Sequence, residues 1–328
     1  MRILIGDVDP GEVEFFEQWR AAHPGVELDL IRGHLSLADL ERPEHYDAVC
    51  VLGTPLTRQA IDVLAAHGAR AISNRSIGYD NVDLVAARDA GVLVANVSYS
   101  PGSVAEFTLM LILASLRKLG DVRKRFDAQD FVPAGLEGRE LANLTVGIVG
   151  AGRIGGRLAE LLAGFGCTVL ATDPKPRKEL AGLVTYVTPA ELYRRSDVVT
   201  VHALLDDSTE HLLDEAAFAA MTDGVVVVNC ARGPIVDTRA LIAALEAGKV
   251  GAAALDVLEG EVDYYFQDCR GQVIADPFFA RLRAMPNVIL TPHFAYLTRE
   301  VVASMVADGL DHCLALVGSG PCDHEVHA

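Results

Sequence analysis

At 328 residues the chain is longer than one hydrophobic core usually grows, so two compact units are expected. Its 51% hydrophobic and 22% charged residues suit a packed globular protein, and runs such as Leu109 to Ala114 and Val225 to Val228 fall far short of the ~20 residues that span a bilayer. A net charge of −17 repels polyphosphate and argues against nucleic acid as a partner, although one local arginine suffices for a small anionic substrate.

The N-terminal Met1-Arg2-Ile3-Leu4-Ile5-Gly6 enters a strand-like run directly, without the basic region and cleavage site of an export signal. Six dispersed cysteines with no CxxC pair suggest neither a zinc cage nor a disulfide framework, and a cytoplasmic location is expected. Strands are predicted at Arg2 to Ile5, Ala48 to Leu52, Ala71 to Ser73 and Val92 to Ala95. Ser100-Pro101-Gly102-Ser103 then marks a crossover between domains, with Ser100 or Ser103 as the cap of the apolar helix that follows. A second series is predicted at Thr145 to Val149, Thr168 to Ala171, Val198 to Val201, Val225 to Asn229, Ala252 to Leu255 and Val288 to Leu290. Strands alternating with helical stretches describe an α/β protein with parallel sheets covered on both faces. The apolar spacing from Thr298 to Leu316 predicts a last helix returning to the first domain, and the polar tail Ser319 to Ala328 is expected to fray.

Gly150-Ala151-Gly152-Arg153-Ile154-Gly155 lies between a predicted strand and a predicted helix. Glycines there permit a tight turn and close approach of backbone to a pyrophosphate at the helix N-terminus. Asp173, 23 residues past Gly150, ends the next strand and can accept hydrogen bonds from a ribose diol, which favours NAD over NADP. Lys175 and Arg177, just beyond, leave room for a 2′-phosphate.

Three later strand ends carry unusual polar groups: Arg232 in Val228-Asn229-Cys230-Ala231-Arg232-Gly233, the carboxylates of Asp256-Val257-Leu258-Glu259-Gly260-Glu261, and His293 in Thr291-Pro292-His293-Phe294-Ala295. Hydride addition to a ketone creates an alkoxide, so a general acid is needed, and histidine has an intrinsic pKa near ~6.5. A carboxylate on its far ring nitrogen fixes the ring, and an arginine grips a substrate carboxylate bidentately while polarising the carbonyl beside it.

Together with the glycine motif, these residues resemble the D-isomer-specific 2-hydroxyacid dehydrogenase family over nearly the whole chain. The stretch Val262-Asp263-Tyr264-Tyr265-Phe266-Gln267-Asp268-Cys269 is similar to the D-lactate dehydrogenase branch, including the vancomycin-resistance D-lactate dehydrogenases. The resemblance implies two Rossmann-like or flavodoxin-like doubly wound domains with a cleft between them. Residues 1–99 plus 299–328 would bind substrate and residues 100–298 would bind NAD. It implies catalytic roles for Arg232, Glu261 and His293; Glu259 competes with Glu261, and the family's spacing selects Glu261. Cofactor contacts are implied at Gly150, Gly152, Arg153, Ile154, Gly155, Asp173, His202, Ala203, Cys230, Ala231, Asp256 and Ala295. Within Asn74-Arg75-Ser76-Ile77-Gly78-Tyr79, the amides of Ile77 and Gly78 would take the substrate carboxylate, and Tyr99 and Tyr296 would close the pocket around it. The resemblance also implies a homodimer, packed through the helix from Val104 to Leu119 and the segment from Arg123 to Leu141.

This chain departs from the family at Leu204, where proline is common, at Leu297, in place of a second aromatic, and at Phe294, in place of a small hydroxyl residue. These departures bear on the side-chain pocket and leave the chemistry in place. The expected activity is reduction of a small, pyruvate-like 2-keto acid to the D-2-hydroxy acid with NADH. The alternatives are an aromatic, branched or phosphonate-bearing keto acid, or a dinucleotide-sensing binding protein akin to corepressors of the same fold.

Overall fold

A computed structural model describes residues 1–328. The chain forms two compact units, one of Met1–Ser100 with Leu297–Ala328, the other of Pro101–Tyr296.

The first unit alternates β1 (Arg2–Ile5), α1 (Val13–Ala22), β2 (Glu27–Leu30), α2 (Leu37–Leu40), β3 (Ala48–Val51), α3 (Arg58–Ala66), β4 (Ala71–Asn74), α4 (Leu84–Ala90) and β5 (Leu93–Asn96). All strand pairs are parallel, in the order β2-β1-β3-β4-β5, so the direction of winding reverses between β1 and β3. β3 is buried at every position, which explains its apolar sequence Ala-Val-Cys-Val. β2 was not among the predicted strands: it is an edge strand reading Glu-Leu-Asp-Leu, and its Asp29 accepts hydrogen bonds from Arg2 and Tyr46.

The second unit contains α5 (Gly102–Leu116), α6 (Leu119–Asp127), β6 (Thr145–Val149), α7 (Arg153–Ala163), β7 (Thr168–Thr172), β8 (Thr185–Tyr186), α8 (Pro189–Arg195), β9 (Val198–Val201), α9 (Glu215–Ala220), β10 (Val225–Asn229), α10 (Thr238–Glu246), β11 (Val250–Leu255), α11 (Pro277–Ala284) and β12 (Val288–Leu290). Its parallel sheet runs β12-β11-β10-β9-β6-β7-β8. Read from β8, six strands follow the dinucleotide-binding order, β12 extends it, and the winding reverses between β6 and β9. The two-residue β8 was too short to be legible in the sequence.

Three local expectations are corrected. Pro101 occupies the N-cap position of α5, so that position falls on neither Ser100 nor Ser103. The helix expected through Leu119 breaks at Lys118, whose φ of 50° is left-handed and separates α5 from α6. The tail does not fray but docks on the outer edge of β5. There Asn96 N–H donates to His324 O at 3.1 Å, Val326 N–H donates to Val94 O at 2.9 Å, and Val326 joins the first unit's core. A polar tail thus blunts an edge that would otherwise expose unpaired amides. Before it, α12 (Arg299–Val317), capped by Thr298, buries Val302, Met305, Val306 and Leu310 and packs over β3 and β4.

Candidate active site

The glycine loop sits where the winding of the second sheet reverses. Gly150 has a φ of 90°, and a Cβ there would lie 2.6 Å from Ala203 N, so the turn closes directly on the residues that follow β9. A Cβ on Gly155 would lie 2.1 Å from Gly150 O, which keeps α7 tight against the turn. Arg153 and Ile154 form the first turn of α7, whose Leu158, Ala159 and Leu162 face the core. The loop therefore offers a cradle that side chains would fill, together with a helix N-terminus, as a dinucleotide pyrophosphate requires.

Asp173 follows β7 and accepts Lys175 N–H at 2.7 Å. The Arg177 guanidinium turns back to donate to Gly152 O at 2.9 Å, so this cation braces the glycine loop. His202, after β9, is half-buried, with Nε2 3.0 Å from Thr200 Oγ1 and no partner for its buried Nδ1. Burial lowers its pKa to about 4, leaving the ring neutral at physiological pH.

The ends of β10, β11 and β12 lie side by side. After β10, the Asn229 side chain receives Ala231 N–H at 3.0 Å and donates to Arg232 O at 2.8 Å, folding the turn that presents Arg232. Gly233 has no room for a side chain, since a Cβ would lie 2.1 Å from Leu258 C, and this brings the Arg232 turn against the loop carrying Glu261. After β11, Glu261 accepts Leu258 N–H at 2.5 Å with one oxygen and meets His293 Nδ1 at 2.6 Å with the other. Glu259 is engaged elsewhere, with His211 Nε2 at 2.7 Å and Thr238 N–H at 2.8 Å. His293 retains 24% side-chain exposure against 14% for Glu261, so the pair is shielded on the carboxylate side and open on the imidazole side.

His293 has a left-handed φ of 59°, an uncommon conformation for a residue with a Cβ. Asp256 holds it there. Its backbone carbonyl accepts His293 N–H at 2.7 Å, and its fully buried carboxylate accepts Thr291 Oγ1 at 2.5 Å, Phe294 N–H at 3.0 Å and Ala295 N–H at 2.9 Å. Burial pushes the Asp256 carboxyl above the usual range, and the donors from Thr291 and Ala295 offset this only in part. Burial and the nearby Asp256 charge push the Cys230 thiol up as well, so it stays protonated. Ala295 shares its core, whereas Ala231 packs against the other core of this unit.

Around the imidazole stand Phe266 at 5.7 Å between ring centroids and Tyr296 at 6.4 Å, nearly perpendicular. Tyr264, next to Tyr265, donates to Asp276 at 3.0 Å and pins the loop after Glu261. Sequence reading missed the anchoring by Asn229 and Asp256 and the contact from Phe266. A buried carboxylate directly after an all-apolar strand was the one available signal for Asp256.

In the first unit, the loop after β4 is held by its carbonyls: Asn96 Nδ2 donates to Ile77 O at 2.8 Å, and Asn74 Nδ2 and Ser76 Oγ donate to Gly78 O at 2.6 and 2.9 Å. The amides of Ile77 and Gly78 donate to no group of the chain, which is the character of an anion-binding nest. Tyr99 lies partly buried at the end of this unit.

The description "D-isomer specific 2-hydroxyacid dehydrogenase, NAD binding domain" matches residues 109–295. The chain is 34% identical to an aromatic 2-oxoacid reductase of Clostridium sporogenes over 99% of both proteins. It is 42% identical to a D-specific alpha-keto acid dehydrogenase of Enterococcus faecium over 75% of this chain and 76% of that protein. The NAD-complexed D-isomer specific 2-hydroxyacid dehydrogenase of Lactobacillus delbrueckii ssp. bulgaricus superposes with a TM-score of 0.85 at 30% identity, covering 100% of both chains. With a glycine cradle, an acidic residue after β7 and a histidine–carboxylate pair at the sheet's carboxyl edge, the chain belongs to the NAD-dependent D-isomer specific 2-hydroxyacid dehydrogenases.

Proposed function

We propose that this dehydrogenase reduces a small, pyruvate-like 2-keto acid to the D-2-hydroxy acid, with His293 as the proton donor. The observation that carries the reading is the 2.6 Å contact between His293 Nδ1 and Glu261, which leaves Nε2 as the nitrogen that meets the nascent alkoxide. NADH, when bound, supplies the hydride. In this reading Gly150, Gly152, Arg153, Ile154 and Gly155 receive its pyrophosphate and Asp173 its ribose, while His202, Ala203, Cys230, Ala231, Asp256 and Ala295 line the rest of the cofactor site.

Arg232 polarises the keto oxygen and engages the substrate carboxylate, which the free amides of Ile77 and Gly78 also receive. Glu261 keeps the imidazole oriented and stabilises the imidazolium until its proton is given up. Tyr99 and Tyr296 border the substrate. In this reading the first unit is the substrate-binding domain and the second the NAD-binding domain. The family's homodimer is favoured by apolar side chains left exposed on and after α5 and α6, namely Met110, Leu119, Phe126 and Phe131, and a dimer is the expected mass in light scattering.

NADH consumption with pyruvate tests the reading directly. Replacing His293 with Gln should lower kcat/KM for reduction by about 10²- to 10⁴-fold with little change in melting temperature. Reduction consumes a proton and oxidation releases one, so rising pH should disfavour the first and favour the second. Unchanged kinetics in the variant would remove His293 from the mechanism.

A further inference from the structure

The carboxyl edge of the first sheet holds a second polar cluster that the chemistry above does not use. Asp7, two residues past β1, has a left-handed φ of 58°. Its Oδ2 receives the backbone N–H groups of Leu52, Gly53 and Thr54 at 2.8, 3.0 and 3.0 Å, and the Thr54 hydroxyl donates to Oδ1 at 2.9 Å. The same Oδ1 meets His34 Nδ1 at 2.7 Å. Leu35 N–H donates to Thr54 Oγ1 at 3.0 Å, which fixes the chain on the other side of the histidine.

A carboxylate so fully supplied with backbone donors does not need an imidazole to satisfy it, and a non-glycine residue in a left-handed conformation carries a backbone cost. The arrangement orients His34. One ring nitrogen is tied to Asp7, Cε1 lies 3.5 Å from where a Cβ on Gly53 would stand, and Nε2 has no partner in the chain. The side chain is 32% exposed.

The location is where an open α/β sheet takes ligands, since β1 and β3 flank the reversal of winding. It is also joined to the Ile77–Gly78 nest: Asn81 Nδ2 donates to Thr54 O at 3.0 Å and to Asn74 Oδ1 at 3.2 Å, and Asn74 in turn holds Gly78 O. β1, β3 and β4 are neighbours, so imidazole and nest lie about two strand spacings apart, roughly 10 Å. A short molecule with an acid group at each end bridges such a distance once a hydrogen bond is allowed at either end.

We infer that His34, held by Asp7, recognises a second anionic group on the substrate, so that the preferred substrates are 2-keto acids whose short side chain ends in a carboxylate or a phosphonate. The inference rests on the dehydrogenase chemistry proposed above and replaces the neutral side chain of its substrate by an acidic one. With Nδ1–H given to Asp7, a protonated ring offers Nε2–H to the anion, a charge-assisted bond that a neutral side chain cannot make.

The test is steady-state kinetics with NADH on pyruvate, 2-oxopentanoate, oxaloacetate, 2-oxoglutarate and 3-phosphonopyruvate, in the wild type, His34→Asn and His34→Gln. Asn keeps a donor for Asp7 and loses the outward nitrogen, whereas Gln retains an outward donor without the charge. The expected result is a kcat/KM at least about 10-fold higher for one or more diacids than for both neutral-side-chain acids. That ratio should fall by about 10-fold or more in His34→Asn and by less in His34→Gln. Whether carboxylate or phosphonate leads identifies the group recognised. A wild-type preference for the neutral acids, or equal losses on all substrates in both variants, overturns the inference while leaving the dehydrogenase intact. No NADH consumption with any keto acid would sink both.

Discussion

Asp7 at the edge of the first sheet and Asp256 at the edge of the second perform parallel tasks, each tying a neighbouring strand's loop through backbone amides and a threonine hydroxyl. Their charges are in opposite situations. Burial raises both, but at Asp7 the histidine and three amides outweigh it and the carboxyl is held at about 2. At Asp256 burial prevails. The first edge therefore carries a fixed charge that stabilises the fold, while the second tolerates an unfavourable buried charge because the loop bearing His293 needs its geometry. Both edges carry a left-handed residue, Asp7 and His293, but a stabilising charge sits at the first and an unfavourable one at the second, where the chemistry is proposed to occur.

The larger effect is expected at the second edge. Glu261→Gln keeps shape and removes charge, and it should lower kcat/KM for reduction by about 10- to 100-fold, the range for residues that orient a reactive histidine. The matched Glu259→Gln change loosens only the contact with His211 and Thr238, and should cost activity far less. Equal losses in the two variants would mean that the 2.6 Å contact with His293 carries no special weight.

At the first edge the effect should appear in stability. The Asp7 pKa falls from 3.8 unfolded to about 2 folded, so its contribution is present above the unfolded value and is lost as pH falls through the folded one. That difference is worth about 2 kcal/mol. Denaturant unfolding should show wild-type stability declining between pH about 4 and about 2, and Asp7→Asn should lose about 2 kcal/mol at pH 7 and flatten that acid limb. An undiminished decline in the variant would place the acid sensitivity in other carboxylates.

The two edges also differ in how much of them the sequence discloses. Buried parallel strands such as Val225–Asn229 are runs of β-branched residues, and glycine at 150 and 155 announces its loop, so the sheets and the cradle were readable. β2 was not, because alternating carboxylates on an edge strand look like a loop, and the docking of the tail depends on backbone amides of β5 that have no sequence signature. The carboxylates at 259 and 261 were both visible, but what separates them is His211, 48 residues from Glu259, and only tertiary structure supplies that contact. Asp7 and His34 are 27 residues apart and gave no motif at all.

The smallest expected effect is the sharpest test of the contrast. Asp256→Asn removes a buried charge whose folded pKa lies above 3.8, so in the wild type the cost of ionisation sets in as pH rises through that raised value. The amide relieves this cost but turns an N–H towards Phe294 N–H or Ala295 N–H, which loses one of the loop's hydrogen bonds. The two consequences oppose each other, and the melting temperature should move less than in Asp7→Asn. The loop holding His293 at its left-handed φ should nevertheless relax, lowering kcat for keto-acid reduction by about 10-fold, the scale of one lost orienting contact. If Asp256→Asn instead melted early and kept full kcat, Asp256 would be a stabilising anchor like Asp7, and the contrast between a stabilising charge and an unfavourable one would fail.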